Sequence, residues 1–248
     1  MPCEVNWLLT TQLRDTQEVE IGGWKFWRGN IEGIPVVISV TGKGAANTGA
    51  ATALALSHFR CRGVINQGTA GGHDPQLNVG DLIIGEYAIN IAAFKTSHRA
   101  RGEGSNTLDW LPMDLLASEG SAGEDANALK MRSFPSDPDL IEAAKRASLT
   151  FDTPGKIIGG GIASSEVWNL ELDRIHSFHS QFGSRCEEME TASAAQIAAR
   201  VSVPFLGVRV ITNNITTGEK YDISVALRCQ RFVAEIAKNL GNDHGVLS

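Results

Sequence analysis

Four consecutive positions, Glu187, Glu188, Met189 and Glu190, crowd three carboxylates and a methionine together, and the chain then turns almost wholly to alanine and small residues through Ala195. Downstream, Arg209 sits inside the apolar run VPFLGVRVITNN, where a guanidinium must be paired or cost several kcal/mol. The upstream carboxylates are its natural partners. An acidic first helical turn would complement the helix dipole by roughly 0.3–1 kcal/mol per charge. That accounts for one glutamate but not for Met189 and Glu190 beside a buried arginine. An ionised carboxylate offers two acceptor oxygens, so one fixed at a crevice suits a vicinal diol, and ribose is the commonest ligand of that kind.

Two glycine-rich loops invite a similar question. TGKGAAN (41–47) is a turn from strand to helix that can present backbone N–H groups to an anion. It lacks the ending of a P-loop and is no GxGxxG, so a plain tight turn is an equal reading. NQGTAGGHDPQLNVGD (66–81) places glycines and a proline in a polar stretch between two buried strands. Either something approaches that backbone closely or it is an ordinary crossover loop.

These pieces need a frame. Apolar runs of strand length, at 34–40, 62–68, 80–89, 155–163 and 203–212, are nearly continuous, as strands covered on both faces require. Between them, 45–59, 138–148, 187–201 and 223–240 carry apolar positions at helical intervals, with Asp137 as cap and Pro138 as first residue of the second. Alanines 192, 194, 195, 198 and 199 would let the third helix lie close on the sheet. An α/β fold follows, a three-layer α/β/α sandwich with a mixed, mainly parallel central sheet, and ligands outside the strand ends. Residues 95–136, rich in Gly, Ser and charge, read as a lid or insertion in what is otherwise a single domain over 1–248.

Composition narrows the class. A chain of 248 residues with 42% hydrophobic side chains can bury one sizeable core. A net charge of −6 without a Lys/Arg cluster argues against nucleic acid as a partner. No run approaches a membrane span, and MPCEVNWLL lacks the pattern of an export signal, which points to a cytoplasmic protein. Cys3, Cys61, Cys186 and Cys229 lack metal or dithiol spacing and read as free thiols, and His176 and His179 as surface residues. No metal or cofactor is expected.

Taken together, VTGKGAANTGAA, INQGTAGGHDPQLNVGDLII, GGGIASSEVW, EEMETASAAQIAARVSVPF and VRVITNN resemble the purine nucleoside phosphorylase/hydrolase superfamily, most of all its 5′-methylthioadenosine/S-adenosylhomocysteine nucleosidases. The resemblance implies a homodimeric enzyme of purine nucleoside metabolism and methionine salvage that breaks an N-glycosidic bond. By matching motifs, Met189 and Glu190 would hold the ribose hydroxyls with Arg209 behind them. Thr69, Ala70 and Gly71 would lie along the nucleoside, with Thr212 and Trp168 at the base; a core or interface tryptophan is the alternative for the latter. Glu4 aligns with the glutamate that activates water, although a solvated terminal charge reads equally well.

Two departures qualify that picture. The arginines that hold phosphate in the phosphorylase branch have no counterpart at Asn66 or Gln67, so water is the better nucleophile. Asn213 stands where the nucleosidases carry an aspartic acid, and an amide has no titratable proton, only a hydrogen bond to give. That keeps a 6-oxopurine nucleoside or futalosine hydrolase, a phosphorylase, and a nucleoside-binding protein open as alternatives. The family also opens with a buried strand before the water-activating glutamate. Here either the true start lies upstream of Met1 or the sheet lacks a strand, which would leave Glu4 poorly fixed.

Overall fold

The computed structural model describes residues 1–113, 115, 133–152 and 154–242. Past two short helical turns (Pro2–Glu4 and Leu8–Gln12), it begins with an antiparallel meander of β1 (Arg14–Ile21), β2 (Trp24–Ile31) and β3 (Ile34–Ser39). The first two strands escape a search for continuous apolar runs because RDTQEVEI and WKFWRGNI leave one face in solvent. Their turns were the available signal. Gly22–Gly23 and Glu32–Gly33 all have positive φ, the requirement of two-residue hairpin loops.

The rest of the chain runs α1 (Ala45–His58), β4 (Val64–Gly72), β5 (Leu82–Asn90), β6 (Phe94–Lys95), β7 (Leu111–Pro112), β8 (Ser133–Pro135) and α2 (Pro138–Thr150). It continues with β9 (Ile157–Ser164), α3 (Leu172–Phe182), β10 (Ser184–Glu188), α4 (Thr191–Arg200), β11 (Phe205–Asn213) and α5 (Ala226–Asn242). The central sheet has the order β11-β4-β10-β9-β5-β8, and β11 also pairs with β5. Five strands therefore close a ring, and β8 hangs on the outer side of β5.

Pairings β4–β11, β9–β10 and β5–β9 are parallel, whereas β4–β10, β5–β11 and β5–β8 are antiparallel. The expected α/β fold with a mixed sheet is present; the longer ladders are parallel, but the antiparallel pairings are as many, and the sheet curls toward a barrel. Continuous apolar runs report burial on both faces and carry no information on strand direction. Closure depends on close approach. Gly207 stands opposite Gly85, where an added Cβ would lie 2.9 Å from the Gly207 carbonyl oxygen and 2.7 Å from Ile162 Cδ1.

Helices cover this sheet on two sides. Leu140, Ala143 and Ala147 of α2 and Phe232 and Ile236 of α5 pack against Leu82, Ile84, Leu206 and Val208. Opposite, Ala192, Ala194, Ala195 and Ala198 of α4 pack against Ala88, Phe134 and Phe205. Ala199, expected in that contact, faces out. Asp137 Oδ1 accepts from the amides of Asp139 and Leu140, capping α2 ahead of Pro138. All four thiols are free.

The segment expected as one helix over 187–201 is two elements. Glu187 and Glu188 end β10, and the helix begins only at Thr191, with no acidic residue in its first turn. Of the expected insertion, β6 and β7 form a small hairpin, while residues 114 and 116–132 lie outside the described residues. Among the described residues, the meander makes no backbone pairing with the central sheet. No described helix is long and apolar enough to cross a membrane.

Because β5 and β11 touch through bare backbone, Gly85→Val is expected to destabilise the fold by about 1–3 kcal/mol or more, read from the urea unfolding midpoint.

Candidate active site

The ends of β4, β10 and β11 come together at one level. Gly71 is in register with Glu187 on one side and with Asn213 on the other. That second register holds because the ladder is irregular between Ile211 and Asn213, a bulge at Thr212. The extra residue turns Asn213 onto the face of Gly71, away from the face that carries Arg209. An added Cβ at Gly71 would lie 3.3 Å from Asn213 Nδ2, so the two do share a face. Asn214, on the opposite side, is saturated: its amide donates to the carbonyls of Asp74 and Leu77 and accepts from Thr216.

A cavity of about 1480 Å³ opens above these ends. Glu4, Thr69, Ala70 and Gly71 line it, as do Trp168, Met189, Glu190, Arg209, Thr212 and Asn213. All ten residues singled out from the sequence thus meet at one cavity. It exceeds the roughly 300–1,000 Å³ of a typical small-molecule pocket. The excess runs between β3 and α5, past Val36, Ile38, Val233 and Leu240.

The buried cation finds its partner among the three upstream carboxylates, as expected, but on the end of β10 instead of in a helical turn. Arg209, 2% exposed, donates Nε and Nη2 to Glu188 Oε2 at 3.1 and 2.5 Å. Its remaining donors go to the carbonyls of Asn66 and Val208 and to the Asn66 side chain. Glu188 in turn accepts from Ser164 Oγ at 2.5 Å and from the amides of Glu190 and Thr191, closing the start of α4. One carboxylate therefore neutralises the guanidinium and caps a helix. Sequence offered no means of choosing among three adjacent glutamates; strand alternation made the choice.

Glu190 is left at the cavity. Its Oε1 accepts from the Gly44 amide at 2.7 Å, and its Oε2 from Met189 N at 3.3 Å. The glycine loop 41–47 thus reaches a carboxylate rather than standing open as an anion site. Burial, with the Glu188 charge beside it, pushes the Glu190 carboxyl above the usual carboxylate range, against the pull of the Gly44 amide and Arg209.

Glu4 is well fixed. Its Oε1 accepts from both the amide and the hydroxyl of Thr69 at 2.9 Å, its Oε2 meets the Met1 ammonium, and its carbonyl accepts from Gln67. Burial pushes its carboxyl up, but the ammonium and the two Thr69 donors outweigh it, and the group lies below the usual range. Trp168 stands 65% exposed at the cavity mouth, its ring 5.8 Å from that of Tyr221, which also lines the cavity and was not singled out from the sequence. His73 and Asn169 are further residues that the sequence reading passed over.

The phosphorylase superfamily model matches residues 1–241, and the chain belongs to that superfamily. A 5′-methylthioadenosine/S-adenosylhomocysteine nucleosidase of Geobacillus kaustophilus is 29% identical over 237 residues, covering 94% of this chain and 87% of that protein. Among solved structures, the nucleosidase of Neisseria meningitidis bound to methylthio-immucillin-A superposes with a TM-score of 0.73 at 27% identity, covering 96% and 95% of the two chains. That of Colwellia psychrerythraea bound to adenine does so with 0.77 at 25% identity, covering 97% and 92%.

Removing the partner of the buried guanidinium is expected to be severe. Glu188→Leu should cost about 3–5 kcal/mol in unfolding free energy, and adding Arg209→Met should restore part of it, as a double-mutant cycle by chemical denaturation would show.

Proposed function

We infer that this chain is an enzyme that hydrolyses the N-glycosidic bond of a purine nucleoside, in the manner of the nucleosidases it resembles. The observation that carries the reading is one cavity with a fixed carboxylate, Glu4, a second carboxylate, Glu190, and the side-chain amide of Asn213. Glu4 has the protonation state of a general base, ionised at neutral pH and held by Thr69. It would take a proton from the water that attacks the ribosyl carbon. Glu190 and Met189 would hold the sugar, Glu190 through the lone pairs that Gly44 and Met189 leave vacant.

Asn213 cannot protonate the leaving base. Its amide would stabilise the negative charge developing on the purine by a hydrogen bond, the electrostatic part of leaving-group catalysis. Thr69, Ala70, Gly71 and Thr212 would lie along the nucleoside, and Trp168 against the base. Water is favoured over phosphate because all five Arg209 donors are committed to Glu188, Asn66 and Val208, leaving none for a dianion. The names of the relatives make methylthioadenosine and adenosylhomocysteine the first substrates to try. We further propose a cytoplasmic homodimer that joins subunits near the cavity, where Val167, Leu170 and Leu172 are exposed beside Trp168.

Base release from a panel of purine nucleosides tests the reading. Turnover should be unchanged by added phosphate, and Glu4→Gln should lower kcat by about 10²–10⁴; an unaltered kcat would refute Glu4 as the base. On acidification, kcat/KM should fall first as Glu190 takes up a proton, since its carboxyl lies above the usual range and that of Glu4 below it. In Glu190→Gln the remaining acid limb should therefore move to lower pH, although at reduced kcat/KM.

A further inference from the structure

We propose that Glu166 is a positioning residue of the base site: it takes the place of the side-chain cap that α1 lacks, and so holds the loop carrying Trp168 over the cavity. The proposal rests on the nucleoside reading above, in which Trp168 lies against the base.

An indole that is 65% exposed makes too few contacts for packing to place it. Tyr221, whose ring lies 5.8 Å away, is itself 46% exposed. The position of Trp168 must therefore come from its backbone, in the loop 165–171 that joins β9 to α3. That loop lies largely on the surface, with Glu166, Val167 and Leu170 exposed. Its start is fixed where Ser165 N donates to the Glu188 carbonyl. Beyond that point two side chains tether it, one on each side of the tryptophan. Asn169 Nδ2 donates to Glu187 Oε2 at 3.3 Å, and the same oxygen lies 2.8 Å from Nε2 of the buried His73, whose Nδ1 meets the Ser184 hydroxyl. On the other side, Glu166 Oε1 accepts from Ala45 N at 2.9 Å, across 121 residues of sequence.

The second tether follows from what α1 lacks. Its N-cap is Gly44, which has no side chain to accept from the first helical amides as Ser, Thr, Asp or Asn would. Two carboxylates from other elements do so instead. Glu190 takes the Gly44 amide at 2.7 Å and Glu166 takes the next one, both at the positive end of the helix dipole. Gly44 is needed for this approach, because its φ is +88° and an added Cβ would stand 2.6 Å from Glu166 Oε1. The head of α1 thus sets the spacing between the carboxylate assigned to the sugar and the wall assigned to the base. Glu166 does not itself line the cavity, so its influence on a ligand must pass through the loop.

Titration calorimetry with adenine and hypoxanthine, carried through a double-mutant cycle, tests this without turnover. Glu166→Ala should weaken binding of whichever base the chain takes by about tenfold, the order of a lost helix cap. In a Trp168→Ala background the same change should have less than about a twofold effect, because the residue it positions is gone. Glu166→Gln keeps an acceptor for Ala45 N and should stay within about threefold of the wild-type chain. Asn169→Ala, the tether on the other side, should show the same dependence on Trp168, and it decides the matter should Glu166→Ala not fold. A loss of affinity equal with and without Trp168 overturns the proposal, as does a lowered unfolding midpoint with base affinity intact, since the contact is then a helix cap and nothing more. Failure of the underlying reading looks different. Full base affinity in Trp168→Ala alone removes the tryptophan from the base and the proposal with it; binding of neither base by the wild-type chain sinks the nucleoside site as well.

Discussion

A guanidinium in the middle of a buried strand governs how this site is built. Arg209 has no water to turn to, so every donor must end on protein, and Glu188 supplies the charge that makes its burial tolerable. Because Glu188 also takes the first amides of α4 and the Ser164 hydroxyl, β9, β10, β11 and α4 are fixed to one another at the point where their ends meet the cavity. The residues on either side inherit that placement. Strand alternation sends Glu187 to the opposite face, and the chain turn after Glu188 delivers Glu190 to the Gly44 loop.

The order of strands and helices was legible from the sequence because burial on both faces leaves a continuous apolar run, and amphipathic helices leave a repeat near 3.6. Strand direction was not, since a run of Val, Ile and Leu reads the same either way; the antiparallel contacts of β10 with β4 and of β11 with β5 turned an expected open sandwich into a ring. Of the meander, β1 and β2 were missed because they are half polar, and β10 because SRCEE is too short and too charged to read as a strand; the helix α3 was passed over.

The site was legible to the level of which residues share a cavity. Its wiring was not. Glu187, Glu188 and Glu190 are the same side chain in sequence, yet one ends a buried polar chain, one neutralises an arginine and one takes the Gly44 amide at the cavity. The bulge at Thr212, which decides whether Asn213 or Thr212 faces Gly71, has no signature in VRVITNN. His73 looked like one more residue of a polar loop, and only its burial against Ser184 and Glu187 sets it apart.

The contact between Glu190 and the Gly44 amide has a mechanical consequence. Any diol taken up by this carboxylate would share it with the turn that leads from β3 into α1, so occupancy and the position of that turn would be thermodynamically linked. Changes in Thr41–Ala45 would then be felt as altered sugar affinity, and a bound sugar would slow amide exchange at the first turn of α1.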